Sequence, residues 1–99
     1  MNRYHEVLVR FKAELRPIAT KMGPSKQRTD AACAAFCQAE EAVLNQATIS
    51  DENAKALMDG LKNLHDAATA QAQLWREYVS TLAAHRLLVA HALERGKMQ

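Results

Sequence analysis

The residue types with the most chemical potential stand in one short run. Cys33 and Cys37, the chain's two cysteines, lie four residues apart in DAACAAFCQAEEA, residues 30–42. On a helix that spacing puts both thiols on one face, about 40° apart on successive turns. Two thiolates there would supply half of a zinc site, and zinc wants two further ligands. If the chain turns back on itself near residues 47–50, facing residue numbers sum to about 98. His65, with Asp66 beside it, then comes opposite Cys33. Cys33, Cys37 and His65 are thus a weak metal-site candidate. Zinc-binding cysteines usually come as CxxC on a turn, and neither Cys nor His has a matching pair elsewhere. The simpler expectation is that both cysteines are small hydrophobes flanking a close-packed seam of alanines. An intrahelical disulfide is not expected, because side-chain vectors at this spacing run parallel.

The remaining chemistry is sparse. His85 and His91 are six residues apart and fall on different helix faces, and no HxxxH or HExxH occurs. AHRL at residues 84–87 resembles the phosphoacceptor helix of histidine phosphotransfer domains over four residues, without the lysine and glycine that follow there. Phosphorelay is not implied. Glu40-Glu41 and Asp51-Glu52 are neighbours in sequence rather than pairs facing across a cleft. With no nucleophile elbow and no glycine-rich phosphate loop, an enzyme is not expected, and neither a metal nor a cofactor is.

The elements that would position these residues are helices. Alanine, leucine and the other strong helix formers dominate the 99 residues, and there are three glycines, two prolines and five aromatic residues. The fold class is all-α in a single domain spanning residues 1–99. Tyr4, Leu8, Phe11, Leu15, Ile18 and Met22 recur in steps of four and three, an a/d seam. Pro17 predicts a kink or break near residues 13–17, and Gly23-Pro24 predicts the helix end. A second seam runs through Ala32, Phe36, Ala39, Val43 and Ala47. Ser50 is a good N-cap, and Asp51 and Glu52 suit the positive end of a third helix. Its stripe is Leu57, Leu61, Leu64, Ala68, Gln71, Trp75, Tyr78, Leu82, His85, Val89 and Ala92, with Gly96 as the stop.

Three helices are expected, over about residues 2–22, 25–47 and 50–95. The second and third form a long antiparallel hairpin with coiled-coil packing, with Phe36 opposite Leu61 and Asn63. The first either continues in line with the second, packing Phe11 and Leu15 on residues 83–88, or folds back as a three-helix bundle. Charge favours the bundle: residues 1–28 hold seven Lys/Arg and two Glu, whereas residues 29–70 hold two Lys and seven Asp/Glu.

The C-terminal stretch carries the best interaction candidate. Trp75, Tyr78, Val79, Leu82, Leu88 and Val89, with Arg86 on the rim, have the composition of a binding hot spot. Leu87 and Leu93 widen that apolar surface, which demands cover on a soluble chain. The function expected is protein–protein interaction, as a small regulatory, inhibitory or chaperone-like adaptor, with another protein or a second copy as partner. The alternative is a nucleic-acid-associated protein contacting phosphates through Arg3, Arg10, Lys12, Arg16, Lys21, Lys26 and Arg28. No run approaches the ~18–20 apolar residues of a membrane span, and the charged N-terminus lacks a signal-peptide core. A cytoplasmic location without membrane contact is the expectation.

Overall fold

The computed structural model describes the backbone of residues 3–98 and the side chains of residues 5–95. It is all-helical: α1 spans Arg3–Leu44 and α2 spans Asp51–Met98. They contain 42 and 48 residues. Two helices stand where three were expected, and the bundle-like arrangement is not formed. The expected start at residue 2 and the side chains of Arg3 and Tyr4 lie outside the described residues.

The missing boundary is at Gly23-Pro24, and it is missing for a physical reason. A proline lacks the amide hydrogen, so Pro17 and Pro24 leave the carbonyls of Ala13 and Thr20 without their intrahelical donors. All four residues are exposed, so water can serve those carbonyls. No described glycine has positive φ, so Gly23 continues the helix instead of capping it. On the buried side the rhythm never stops. The less exposed positions of α1 are Val7, Phe11, Leu15, Ile18, Met22, Ser25, Thr29, Ala32, Phe36, Ala39 and Val43. After the first step they alternate four and three without a phase change across the Gly-Pro.

At the other end, α1 stops at Leu44 and not near Ala47. The amide of Asn45 donates to the Glu41 carbonyl at 3.2 Å and that of Gln46 to Val43 at 3.1 Å, closing the last turn. α2 begins as its sequence demands: the Ser50 hydroxyl accepts from the Asn53 amide at 3.2 Å, and Asp51 and Glu52 occupy the first turn. It runs through Gly96, the expected stop, to Met98.

The described chain divides into two compact units: the residues up to Met22 with those from Gln73, and Gly23–Ala72. The basic first segment therefore belongs to the same unit as the C-terminal segment.

In the unit Gly23–Ala72 the two helices form an antiparallel hairpin packed through small residues. Ala32 and Ala67 are its buried positions. The Thr29 hydroxyl lies 3.4 Å from the Ala67 carbonyl and 3.1 Å from that of Ser25, so one donor spans the helix pair. A Cβ on Gly60 would sit 3.5 Å from the Phe36 Cα, which shows how closely the backbones approach. Phe36 thus comes close to Gly60, one residue before the expected turn of Leu61 and Asn63, because α1 ends at Leu44, earlier than expected.

In the other unit, Phe11 stacks on His85 with ring centroids 4.8 Å apart, tilted by 47°. The inward positions of α2 are Leu74, Tyr78, Thr81, His85, Val89 and Ala92 here, and Asn53, Leu57, Gly60, Leu64, Ala67 and Gln71 in the hairpin unit. The expected stripe was right at Leu57, Leu64, Gln71, Tyr78, His85, Val89 and Ala92. It was one residue late at Leu61, Ala68, Trp75 and Leu82, where Gly60, Ala67, Leu74 and Thr81 turn inward. Small side chains permit close helix approach, and the larger neighbours are displaced to the flank.

Candidate functional site

Displaced large side chains are the main feature of the unit that joins the described residues up to Met22 with those from Gln73. Trp75 is 50% exposed, and Val79, Leu82, Leu87, Leu88 and Leu93 are exposed too, as are Leu8 and Val9 of α1. Across the described residues, the buried positions are only Ala32, Ala67 and His85. The helix pairs thus leave much of their apolar surface in water.

Part of that surface forms a groove of about 370 Å³ lined by Leu8 and Phe11 of α1 and by Leu82, His85, Arg86, Val89, Ala90 and Leu93 of α2. Along α2, Leu82, Arg86, Val89 and Leu93 follow steps of four, three and four, so they stand in one row. A shelf formed by Phe11, Lys12, Leu15, Arg16 and Ala19 continues the surface along α1, sharing Phe11 with the groove. Trp75 meets Tyr78 edge-on, centroids 5.7 Å apart and planes at 83°, an arrangement that suits the ring quadrupoles.

Of the expected partner-binding residues, Leu82, Arg86 and Val89 are brought together in the groove. Leu88 turns the other way, into a cleft of about 320 Å³ with Glu6, Val7, Arg10, His91, Ala92 and Arg95, which His85 also borders. Tyr78 is half-buried, and Trp75 and Val79 lie on the outer surface of α2. Leu8, Phe11 and Leu93 complete the groove. Phe11 was expected against residues 83–88 in the arrangement where the first helix continues past Gly23-Pro24, and it meets His85 there; Leu8 was legible only as a seam residue.

The floor of the unit is polar at one point. His85 is 4% exposed. Its Nδ1 lies 2.9 Å from the Thr81 carbonyl, which can only accept, so Nδ1 carries a hydrogen and donates. Its Nε2 is 3.2 Å from Oε2 of Glu14 but makes no well-directed hydrogen bond. The Arg10 guanidinium holds the other carboxylate oxygen, Oε1, at 3.2 Å. Glu14 was not singled out from sequence. Its signal was its place one residue before the Leu15 seam position, facing a helix with a histidine in its own seam.

The cysteines are not packed. Cys33 and Cys37 are both exposed free thiols, so the expectation of two small hydrophobes against the seam is corrected. The close contacts there are made by Ala32 and Phe36, and the cysteines fall outside them. His65 is exposed and its Nδ1 approaches only Asp66, at 3.9 Å. Among the described residues no three His, Cys, Asp or Glu side chains are placed to hold a metal ion. The Cys37 thiol is pushed above its ordinary range, chiefly by partial loss of hydration. The adjacent Cys33, by charge and by a shared hydrogen bond, and Glu40 and Glu41 add to this.

The basic residues of α1 do not make one stripe. Arg10 and Lys21 share one side, about 20° apart, whereas Lys12 and Arg16 share another. Lys26 and Arg28, in the hairpin unit, are about 160° apart round the helix. Arg10 is already paired with Glu14. Among the described residues no helix is long and apolar enough to cross a membrane. No protein-family model, curated protein or solved structure matches this chain.

Proposed function

We propose that the protein works by binding another polypeptide, as a small regulatory, inhibitory or chaperone-like adaptor in the cytoplasm, and catalyses no reaction. The observation that carries this reading is the apolar groove of Leu8, Phe11, Leu82, Val89 and Leu93 on a chain that buries so little of itself. Exposed apolar patches of this kind mark interaction surfaces. An aromatic pair beside the groove and an arginine on its edge fit the composition of binding hot spots. Nucleic acid is disfavoured because α1's cations fall on two opposite sides of the helix and Arg10 is already held by Glu14, whereas a phosphate backbone is met by cations on one face.

Photo-crosslinking tests this directly. A benzophenone side chain is placed at Leu93, in the groove, and in a second variant at exposed Ser80. A discrete adduct in lysate of the source cells is expected from position 93, lost when Leu82→Glu is added and absent from position 80. Adducts of equal yield from both positions, or none from position 93, would refute the reading.

A further inference from the structure

Resting on the proposed binding function, we propose that the occupant of the groove is an amphipathic helix of a partner protein, with carboxylates flanking its apolar stripe. Two features of the surface lead there.

The first is its periodicity. On α2 the groove row is Leu82, Arg86, Val89 and Leu93; on α1 the corresponding row is Leu8, Lys12, Leu15 and Ala19. Both rows step four, three and four, the spacing at which a helix presents a seam to another helix. They run beside the seam that already holds this unit together and share Leu15 and Val89 with it. A straight apolar stripe on a third helix would contact both rows at once. A strand or an extended peptide has a period of two and would match neither.

The second is charge. Arg86 stands in the groove, and Lys12 and Arg16 stand on the shelf, while neither lining contains a carboxylate. The unit's acidic residues point elsewhere. Glu14 lies about 160° round α1 from Lys12 and is held by Arg10 and His85. Glu6 lines the other cleft. On α2, Glu77 lies about 180° from Arg86, and Glu94, the nearest, about 80°. A helix whose apolar stripe is edged by Asp or Glu would place those carboxylates against Arg86, Lys12 and Arg16. A symmetric contact between two copies through this groove would instead set these cations against their own counterparts.

Two synthetic helical peptides with the same leucine stripe test the proposal, one flanked by glutamates and the other by lysines, matched for helix content. They are titrated into the full-length chain, with the emission of Trp75, its single tryptophan, and peptide anisotropy as readouts. The Glu-flanked peptide is expected to bind at least about tenfold more tightly at low salt, with the gap narrowing as salt rises. Lys12→Glu with Arg86→Glu is expected to reverse the preference, circular dichroism showing the fold retained. Tighter binding of the Lys-flanked peptide, in a way that Leu82→Glu abolishes, would overturn the acidic partner while leaving the groove a binding site. If neither peptide binds and light scattering shows a dimer that Leu82→Glu makes monomeric, the occupant is a second copy and the proposal fails. If neither binds to a monomer, the proposal and the groove reading fall together.

Discussion

Glu14 places a carboxylate oxygen 3.2 Å from Nε2 of His85, a ring otherwise sealed by Phe11 and the Thr81 carbonyl. The two partners differ in what their loss would do. Glu14 is about half exposed and can be rehydrated if His85 is removed, whereas His85 is only 4% exposed. Because Nε2 makes no well-directed hydrogen bond even with Glu14 present, Glu14→Ala removes only the carboxylate contact and is expected to lower stability by less than about 1 kcal/mol. Glu14→Gln, whose amide can donate to that nitrogen, is expected to cost less. His85→Leu fills the same space without a polar atom to satisfy and is expected to be neutral or stabilising. His85→Ala leaves a cavity and is expected to cost about 2–3 kcal/mol. Urea denaturation midpoints of the four variants check this order. A His85→Leu protein less stable than Glu14→Ala would mean that the pair itself holds the helices together.

Two glycines sit in helix interiors, where glycine costs about 1 kcal/mol relative to alanine. At Gly23 an added Cβ would meet nothing within 4 Å, so Gly23→Ala is expected to stabilise by nearly the whole amount. At Gly60 the Cβ would stand 3.5 Å from the Phe36 Cα, an ordinary contact, so Gly60→Ala is also expected to be tolerated. A β-branched residue there extends atoms toward the facing backbone, and Gly60→Val is expected to destabilise by about 1–3 kcal/mol through overpacking. Thermal unfolding of the three variants decides whether Gly60 is present for close approach or only permitted by it.

These glycines also show how far the fold was legible. The four-three rhythm was readable from Phe11 to Met22 and again from Ala32 to Val43, whereas Val7 turns inward where Leu8 was expected. The inference that failed was treating Gly23-Pro24 as a stop. Extending the count from Met22 by three, four and three gives Ser25, Thr29 and Ala32, so the two seams share one phase. Polar Ser25 and Thr29 hid the continuity, because an apolar pattern search passes over residues that fill a seam with hydroxyls. On α2 the stripe was drawn through the largest side chains. Close packing selects by fit, and Gly60 and Thr81 fit where Leu61 and Leu82 do not, while between Ala67 and Ala68 the helix register alone decides. The groove has the same origin: Leu82 was legible as an interaction residue, but its meeting with Leu8 depends on α1 continuing through the glycine and proline.

Cys37 is expected to alkylate slowly near neutral pH. Partial dehydration, the neighbouring Cys33 and Glu40 and Glu41 all raise its pKa, so less of it is thiolate, the reactive form, at a given pH. Its reaction rate with iodoacetamide should climb through a midpoint above that of an unperturbed thiol. Cys33→Ser removes the neighbouring thiol's charge, and Glu40→Gln with Glu41→Gln removes two more repulsions. Each change is expected to move the midpoint to lower pH. Site-resolved mass spectrometry over a pH series reads this, and a midpoint unmoved by Cys33→Ser would show that the sulfurs do not interact.

The prolines of α1 give the sharpest test of its continuity. In a helix interior proline forfeits one backbone hydrogen bond and crowds the preceding turn, at about 3 kcal/mol relative to alanine. Pro17 and Pro24 are both exposed and sit in one unbroken helix. If α1 is continuous, Pro17→Ala restores the bond to Ala13 and Pro24→Ala the bond to Thr20. Each is then expected to raise stability by about 1–3 kcal/mol without loss of helical circular dichroism, the unfolded chain's added freedom taking back part of the gain. If Gly23-Pro24 were a turn between two helices, Pro24→Ala would instead remove a residue that favours the turn and would lower stability. The sign of the change at Pro24 therefore separates one long helix from two, and the shift in urea midpoint reads that sign.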